Sequence, residues 1–493
     1  MKNKFIQILS IPFFLALLPL FYFQHRLLEN YAPSLFPDFL KLSILYSGIL
    51  ILIAGLFSLY LRNFSKASLA AIVLMAADFF YSSVQDLLAN ITGSSVLSKY
   101  SILLPVFFIT ILLIIRSIKK STKDFSSVCR YVNLLLLILI VIDIVQVLQS
   151  KQRFQSRLKN TAIPYSQFTK CDTCSRPDIF LLVVDEYAGN QELKDIFNSD
   201  NTILDSSLNQ RGFHTVKNSS SNYNSTVYSM GSFFSMNYLA GLNEKLTENY
   251  KDILFCRELI NNNAFTKYLQ SAMGYEIYNF SFFDFGDQRR VVQNILTTNT
   301  NILAGNTLFH KLNYTFGARL VSRKKIEKIK LTELVDNQKI ETLLKESLDV
   351  DNRKPKFVYA HFNMPHWPYF FDSAGIQTPV DSLTETYKTN KKAYIQYLKY
   401  SNNKILNLID EIKQKSKNPP VIMLISDHGF RQLPPDTDKK YYFMNLNSIF
   451  LPSGKYATFY DGMSNVNLLR AYLKHQFNQS WPMLPDSSIF IKD

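Results

Sequence analysis

The chain has 493 residues, of which 47% are hydrophobic, and it carries a formal net charge of +15. This length exceeds one usual domain, and four cysteines are too few for a disulfide framework. Much of the basic excess lies in short loops between apolar segments, so the charge does not indicate a nucleic-acid partner.

The first 150 residues contain five long apolar segments, most of which approach or reach the roughly 20 residues that cross a bilayer. The segments are Ile6–Phe23, Leu40–Leu61, Ala67–Leu88, Ile102–Ile115 and Val132–Leu148. The short polar loops between them disfavour a buried bundle in a soluble protein. They predict a transmembrane domain of five helices over residues 1–150, in which Asp78 and Asp143 face protein or a water-filled cavity.

Cationic residues lie before the first segment and in alternate loops of this domain. They are Lys2, Lys4, Arg62, Lys66, Arg116, Lys119, Lys120, Lys123 and Arg130. The positive-inside rule places the N-terminus in the cytoplasm and everything beyond residue 150 outside. The sequence therefore predicts a multi-pass protein of the cytoplasmic (inner) membrane with an extracytoplasmic domain. Cys171, Cys174 and Cys256 would lie outside, either with a bridge among them or as simple thiols.

Residues 151–175 are polar and basic, as expected of a linker, and residues 176–493 alternate strand and helix patterns. The predicted strands are Asp178–Asp185, Tyr275–Phe280, Lys356–Phe362 and Val421–Ser426. Helices are predicted at Gln191–Leu208, Met230–Met236, Leu468–Phe477 and over residues 383–415. The alternation predicts an α/β sandwich with a central, mostly parallel sheet and helices on both faces.

Two of the predicted strands end in side chains that can bind a metal ion. Asp427-His428-Gly429 follows the last strand, and Asp185 ends the first strand directly before Glu186. Ligands bind at the carboxyl edge of such sheets, so one divalent cation could bridge the two strands. Asp185 could instead cap the next helix, and the neighbouring Glu186 leaves the metal ligand ambiguous by one position.

A hydroxyl-rich segment, residues 222–230, leads into the predicted helix at Met230–Met236. A hydroxyl at the start of a helix meets free N–H groups that favour an anion, and a metal-bound hydroxyl becomes a nucleophile. The alternative is an N-cap in a polar surface loop.

Further candidates follow two of the strands. His366 lies between prolines and aromatic residues and could bind a phosphate oxygen or protonate a leaving group. His361 lies on or near its strand and is as compatible with a core imidazole as with a functional one. Arg431 could pair with an anionic oxygen, or could simply be an exposed basic residue.

In this order, the motifs resemble the alkaline-phosphatase/sulfatase superfamily over residues 175–493. The predicted anchor is similar to that of the membrane-anchored branch, which contains lipoteichoic acid synthases and phosphoethanolamine transferases. The resemblance implies that Asp185, Asp427 and His428 bind metal. It also implies that Thr226, within Asn-Tyr-x-x-Thr, is nucleophile and metal ligand, and that His366, within Pro-His-x-Pro, contacts substrate.

This resemblance implies one divalent metal ion, Mn or Zn, with His361 and His366 leaving a second possible. It implies transfer of a phosphoryl-containing head group from a membrane phospholipid to a glycan, lipid or polymer acceptor. From its position after the Asp427-His428-Gly429 turn, Arg431 is expected to bind the anionic substrate. A phosphodiesterase, phosphatase or sulfuric-ester hydrolase would use the same site, and a non-catalytic membrane-anchored binding protein is the alternative of another class. No Cys/Ser-x-Pro-x-Arg segment surrounds Thr226, which disfavours the formylglycine route of sulfatases.

Overall fold

A computed structural model describes residues 10–92, 96–292, 297–320, 322–350 and 354–492. The chain divides into two compact units. The first comprises Met1–Phe154 and Thr297–Ser322, and the second comprises Gln155–Leu296 and Arg323–Asp493. Lys2, Lys4 and the start of the first predicted apolar segment lie outside the described residues.

Helices dominate the first unit, whereas helices and strands alternate in the second. The α-helices are, in chain order, α1 (Phe14–Glu29), α2 (Phe36–Leu61), α3 (Phe64–Thr92), α4 (Tyr100–Lys120), α5 (Ser126–Thr161), α6 (Asn190–Phe197), α7 (Thr202–Gln210), α8 (Thr226–Ser235), α9 (Tyr250–Asn261), α10 (Ala264–Ser271), α11 (Asn299–Ala304), α12 (Leu308–Leu320), α13 (Arg323–Lys330), α14 (Thr332–Asp349), α15 (Lys391–Lys415) and α16 (Asn465–Phe477). The strands are β1 (Ile179–Val184), β2 (His214–Thr215), β3 (Glu276–Phe280), β4 (Lys356–Phe362), β5 (Val421–Ser426) and β6 (Asn447–Phe450). Short 3-10 helices are Pro33–Leu35, Tyr165–Gln167, Val380–Ser382, Glu385–Thr389 and Lys439–Phe443.

The described residues contain four helices that are long and apolar enough to cross a membrane, rather than the five predicted. These helices are α2, α3, α4 and α5, with a mean hydropathy between 1.7 and 2.5. Of the first predicted segment, the described residues from Phe14 to Phe23 lie in α1, which has 16 residues, fewer than the roughly 20 that span a bilayer. The prediction of five spanning helices is corrected to four on this ground.

Both aspartates inside the apolar helices have polar partners within the first unit. Asp143 is buried, and its Oδ2 lies 3.2 Å from His25 Nδ1. The backbone N–H of Phe309, in the first turn of α12, donates to Asp78 Oδ1 at 2.7 Å. These aspartates therefore face protein, as their apolar surroundings predicted.

Residues 297–322 group with the N-terminal helices, although the sequence pattern placed them in the outer domain. Asn299 Nδ2 donates to Ser34 O at 2.9 Å, and Arg26 donates to Ile302 O at 3.1 Å. Ser82 Oγ donates to Asn306 O at 2.6 Å. These long-range hydrogen bonds, which no local pattern reveals, tie α11 and the start of α12 to the helices of the first unit.

The second unit contains a mixed six-stranded sheet in the order β2-β6-β5-β1-β4-β3. The four strands β5, β1, β4 and β3 are parallel, whereas β6 pairs antiparallel with β5 and β2 antiparallel with β6. In the central register, Val184 pairs with Ser426 on one side and with Phe362 on the other. The carboxyl ends of three fully buried strands therefore meet at one edge, which confirms the mostly parallel sheet.

Local capping explains where the predicted helices differ from the observed ones. The helix predicted at Gln191–Leu208 divides into α6 and α7, because Asn198 adopts a left-handed conformation with φ of 47°. The helix predicted over residues 383–415 begins only at Lys391, where the Asn390 side chain accepts from the N–H of Ala393.

The cysteines include one bridged pair. Cys171 and Cys174 form a disulfide, one of the two alternatives that the sequence left open. Cys129 and Cys256 are buried free thiols.

Candidate active site

The turn after β1 separates two adjacent acidic side chains. The N–H of Asp185 continues the sheet by donating to Phe362 O at 3.0 Å. Glu186 then adopts a left-handed conformation with φ of 59°, which is uncommon for a residue other than glycine. The two buried carboxylates consequently have different surroundings. Glu186 Oε1 accepts from the backbone N–H of Arg431 at 2.6 Å, and Asp185 lies beside the turn that follows β5.

Asp427 and His428 lie opposite Asp185 because β1 and β5 are in parallel register. His428 Nε2 is 3.3 Å from Asp427 Oδ2 and 3.8 Å from Asp185 Oδ1. Its Nδ1 lies 2.8 Å from Gly429 O. A carbonyl can only accept, so Nδ1 carries a proton and Nε2 of the neutral ring keeps a lone pair directed at the carboxylates.

Only glycine fits the last position of this turn. A Cβ atom at Gly429 would lie 2.5 Å from Tyr441 O and 2.7 Å from Met444 O. A side chain of α16 also fixes the turn, because Asn465 Nδ2 donates to Ser426 O at 2.9 Å. The backbone that carries Asp427 and His428 is therefore fixed on several sides.

Thr226 is the first residue of α8, and its hydroxyl faces the same cluster. Its Oγ1 lies 3.1 Å from His428 Nε2. The Oγ of Ser229, on the next turn, donates to Asp427 O at 2.6 Å and ties the helix to the turn that carries Asp427 and His428. Within residues 221–230 Thr226 alone is partly exposed. The hydroxyl is thus accessible to a substrate at the positive end of a helix.

The arrangement fits a divalent cation. Ligand atoms of Asp185, Asp427 and His428 all lie within 4.8 Å of one another. Among the described residues, Asp185 Oδ1 and Asp427 Oδ2 are buried without a hydrogen-bond partner. Ligands at about 2 Å from a tetrahedral ion lie about 3.3 Å apart, close to the 3.1–3.8 Å that separates His428 Nε2 from its neighbours. Asp185, Asp427, His428 and Thr226 could therefore hold one metal ion.

Burial and neighbouring charges give the cluster unusual proton affinities. Burial, reinforced by the charges of Asp427 and Glu186, raises the pKa of Asp185 well above its usual value. Burial alone would raise the pKa of Asp427, but the imidazoles of His428 and His361 lower it overall. Burial lowers the pKa of His428, which keeps the ring neutral and able to bind metal.

His366 and Arg431 lie next to Glu186, at the edge of the cluster. His366 Nε2 lies 3.7 Å from Glu186 Oε2, and the His366 side chain is 27% exposed. The charge of Arg431 acts on both Asp185 and His428, in each case lowering the pKa. Both residues predicted to contact substrate therefore border the cluster, on the side of Glu186.

His361 is completely buried within the site rather than in a remote core. Its Nδ1 is 2.8 Å from Tyr359 Oη, and its Nε2 is 4.0 Å from Asp185 Oδ2. Burial lowers the pKa of His361 to about 4, so the ring is neutral near pH 7. His475, in contrast, lies on α16 and contacts Ser453, away from the cluster.

Sequence reasoning missed one buried acid beside the site. Glu192, in the first turn of α6, is fully buried, and its Oε2 accepts from the N–H of Phe430 at 3.4 Å. Burial raises the pKa of Glu192 well above its usual value. The sequence offered no signal for this residue, because a glutamate in the first turn of a helix is ordinarily a surface residue near the dipole.

Comparisons with known proteins identify the family of this chain. The sulfatase family model matches residues 149–476, more than half of the chain. The chain therefore belongs to the sulfatase family, within the alkaline-phosphatase/sulfatase superfamily, and is an enzyme of that superfamily. A search of curated proteins found no match.

Several solved structures are similar to this chain. Lipooligosaccharide phosphoethanolamine transferase A from Neisseria meningitidis is 14% identical, with a TM-score of 0.37, and the match covers 96% of each chain. The C-terminal periplasmic domain of EptC from Escherichia coli is 13% identical, with a TM-score of 0.38, covering 62% of this chain and 84% of that one. The corresponding domain of phosphoethanolamine transferase EptC from Campylobacter jejuni is 14% identical, with a TM-score of 0.35, covering 62% and 90%.

Proposed function

We propose that this enzyme moves a phosphoryl-containing head group from a membrane phospholipid to an extracytoplasmic acceptor. The observation that carries the proposal is the Thr226 hydroxyl, 3.1 Å from His428 Nε2 and at the edge of a buried cluster that can hold a cation. The apolar helices of the N-terminal unit support a lipid donor, because a membrane anchor keeps the catalytic unit near lipid head groups. The acceptor would be a glycan, a lipid or a polymer.

Asp185, Asp427 and His428 would hold the divalent cation, with Thr226 as a further ligand. One histidine and two carboxylates suit Zn or Mn. When bound, the ion would lower the pKa of the Thr226 hydroxyl and polarise a phosphate oxygen. The buried Nδ1–H of His428, donated to Gly429 O, would fix the ring orientation that this ligand set requires.

Thr226 would act as the nucleophile. Its proton passes to solvent water as Oγ forms a bond to phosphorus and the bond from phosphorus to the lipid oxygen breaks, giving a phosphothreonine ester and the lipid remainder. His366, partly exposed and next to Glu186, would supply the proton that the departing oxygen needs. An acceptor hydroxyl then gives its proton back to His366 and attacks the phosphorus, and the departing Thr226 Oγ regains a proton from water. Arg431 and the N-terminus of α8 would stabilise negative charge on the non-bridging oxygens.

Trapping the covalent adduct tests the proposal. Intact enzyme incubated with phospholipid is digested, and the peptide that contains Thr226 is expected to gain the mass of the transferred head group. Thr226→Ala should lower head-group release from labelled phospholipid by about 10³-fold or more, since removal of a nucleophile leaves only binding and charge stabilisation. Ser225→Ala, one residue earlier, is the matched control. Head-group release by Thr226→Ala at the parental rate, in a protein of unchanged melting temperature, would refute the covalent mechanism.

A hydrolase that uses the same residues is the second candidate, and the sulfatase family match favours it. In this case water, rather than an acceptor hydroxyl, resolves the threonine adduct. Product analysis with and without glycan, lipid and polymer acceptors separates the two. Release of free head group at a rate that no acceptor changes would favour a phosphodiesterase or phosphatase, and release of sulfate from a sulfate ester would favour a sulfuric-ester hydrolase.

A further inference from the structure

Helix α13 (Arg323–Lys330) is a strongly basic element of the second unit that the reaction above does not use. Its eight residues include five cations and one acid, and none of the eight is buried. Lys324, Lys325 and Lys328 are exposed, and they form no ion pair with any described residue. The helix therefore carries positive charge that the rest of the second unit does not neutralise.

The remaining charges of α13 bind the helix to the second unit. Arg323 pairs with Asp381 at 2.9 Å, and Lys330 Nζ donates to Val380 O at 3.0 Å. Arg323 also pairs at 3.1 Å with Glu327, the one acid of the helix. Positions 323, 327 and 330 follow the i, i+4, i+7 spacing of a single helix face. The unpaired lysines consequently lie on other faces.

Two exposed isoleucines lie among the unpaired lysines. Ile326 is 40% exposed and Ile329 is 61% exposed. Their i, i+3 spacing makes them neighbours on one stripe of the helix. A helix with an exposed apolar stripe and lysines around it is typical of elements that lie in a membrane surface, where the apolar side chains enter the boundary between head groups and acyl chains.

The chain enters α13 directly from the unit that contains the apolar helices. Arg323 is the first residue of the second unit, and the preceding segment, residues 297–322, groups with the N-terminal helices. In that segment the N–H of Phe309 donates to Asp78, which lies on the candidate membrane span α3. The same segment exposes 81% of Tyr314, a residue type that is enriched at membrane–water interfaces. The position of α13 in the chain thus favours a lipid partner.

We propose that α13 binds the membrane surface, with Ile326 and Ile329 between the head groups and the three unpaired lysines on anionic phospholipid. Each cation near an anionic lipid surface favours binding about fivefold, so three lysines contribute roughly 100-fold at low salt. A second copy of the chain would bring the same positive charge to this surface, which disfavours it as the partner. The contact involves none of the residues of the Thr226 cluster and does not depend on the reaction that they catalyse.

A fluorophore on α13 of the full chain in nanodiscs tests this contact. Ile329→Cys is labelled with a nitrobenzoxadiazole dye, and the native cysteines give little background because they are buried or bonded to each other. The discs consist of phosphatidylcholine with or without phosphatidylglycerol, and some acyl chains carry a nitroxide that quenches dyes in the lipid. Quenching is expected to be about twofold stronger or more with phosphatidylglycerol, and high salt should remove this difference by screening.

A dye on another face of the same helix is the positional control. Lys324 lies about 140° around the helix from Ile329, so a dye on Lys324→Cys should be quenched less than half as strongly. Equal quenching at the two positions would overturn the proposal, and so would the absence of quenching at Ile329 in both kinds of disc. Crosslinking of Ile329→Cys between two chains in place of quenching would overturn it in favour of a second copy.

Two sets of three substitutions separate the charge of α13 from the net charge of the chain. Lys324→Gln, Lys325→Gln and Lys328→Gln together should reduce quenching of the Ile329→Cys dye to its value in phosphatidylcholine alone. The matched set removes three exposed lysines elsewhere in the second unit and should leave quenching unchanged; it comprises Lys245→Gln, Lys251→Gln and Lys392→Gln. Equal effects of the two sets would also overturn the proposal, because net charge rather than α13 would then govern the contact.

Discussion

Asp185 and Glu186 are adjacent acids that the structure gives different partners. The left-handed turn at Glu186 sends its Oε1 to the backbone N–H of Arg431, whereas Asp185 stays beside Asp427 and His428. Ligand atoms of Asp185, Asp427 and His428 lie within 4.8 Å of one another, and Glu186 is not part of that group. We therefore propose Asp185 as the metal ligand and a supporting position for Glu186.

This assignment predicts unequal effects of two neutralising substitutions. Asp185→Asn removes a ligand and should lower metal affinity by about 100-fold, whereas Glu186→Gln should lower it by no more than about tenfold, as for a supporting hydrogen bond. Metal content after dialysis against a graded chelator, read by mass spectrometry, distinguishes them. Loss of metal from Glu186→Gln with retention in Asp185→Asn would exchange the two assignments.

Glu333, on α14, predicts a measurable dependence of stability on pH. Burial, with a contribution from Asp336, raises the pKa of Glu333 from 4.5 to about 8. The folded state therefore keeps a proton that the unfolded chain releases above pH 4.5, so this group lowers stability as pH rises from 4.5 to about 8. Glu333→Gln stays neutral and should avoid the loss of about 3–4 kcal/mol that this titration costs the parent between pH 5 and pH 8.

Melting temperatures of the two proteins at pH 5 and pH 8 measure this difference. Glu346→Gln, at an exposed position of the same helix, is the control and should follow the parent. If Glu333→Gln and the parent lose stability equally between these values of pH, Glu333 does not titrate as expected.

At the scale of single residues, the sequence predicted the site residues whose position depends on their immediate neighbours in the chain. Asp427 and His428 follow a strand whose pattern was unmistakable, so their place at the sheet edge could be inferred. Glu192 could not, because its burial against Gly429 depends on how α6 packs on a turn more than 230 residues away. The assignment of Asp185 over Glu186 depended on a positive φ that no sequence pattern displays.

At the scale of elements, α8 carries Thr226, the proposed nucleophile. It is held against the Asp427 turn by Ser229 and packs on α9 at Gly231. A Cβ atom at Gly231 would lie 2.9 Å from Cys256 Cβ and 3.3 Å from Cys256 Cα. The close approach of the two helices thus requires glycine, although glycine inside a helix is intrinsically unfavourable.

Gly231→Ala should consequently destabilise the protein by about 1–3 kcal/mol, since overpacking outweighs the gain in helix propensity. It should also slow the reaction, because any shift of α8 moves Thr226. Thermal unfolding and head-group release measure the two effects. Gly55→Ala, where an added Cβ meets nothing within 4 Å, is the control and should be neutral or slightly stabilising. An unchanged melting temperature in Gly231→Ala would show that the two helices can separate at no cost.

The long buried strands were predictable, whereas the two short antiparallel strands were not. β4 and β5 have the predicted bounds, because uninterrupted branched and aromatic residues are typical of central parallel strands. β2 and β6 have two and four residues, too few for a pattern, and their pairing depends on antiparallel partners distant in sequence. The grouping of residues 297–322 with the first unit was not predicted either, because it also depends on partners distant in sequence.

At the scale of the whole molecule, the number of membrane spans does not by itself determine on which side of the membrane the catalytic unit lies. The described residues contain four candidate spans rather than the predicted five. If α1 does not cross the membrane, the N-terminus lies on the opposite side of it from the side predicted. The side of the membrane on which the catalytic unit lies depends only on α5, because Lys119 and Lys120 at the end of α4 and Lys123 in the following loop directly precede that helix. If this loop is cytoplasmic, a single crossing puts everything after α5 outside.

Two variants, each with one added cysteine, test this placement in spheroplasts. The native cysteines give a low background, since Cys129 and Cys256 are buried and Cys171 is bonded to Cys174. Ser382→Cys, exposed in the catalytic unit, should react with a membrane-impermeant maleimide in intact cells. Lys123→Cys, exposed in the basic loop, should react only after permeabilisation. The reverse pattern would place the Thr226 site in the cytoplasm, where soluble phosphate esters rather than outward-facing lipid head groups would be the available donors.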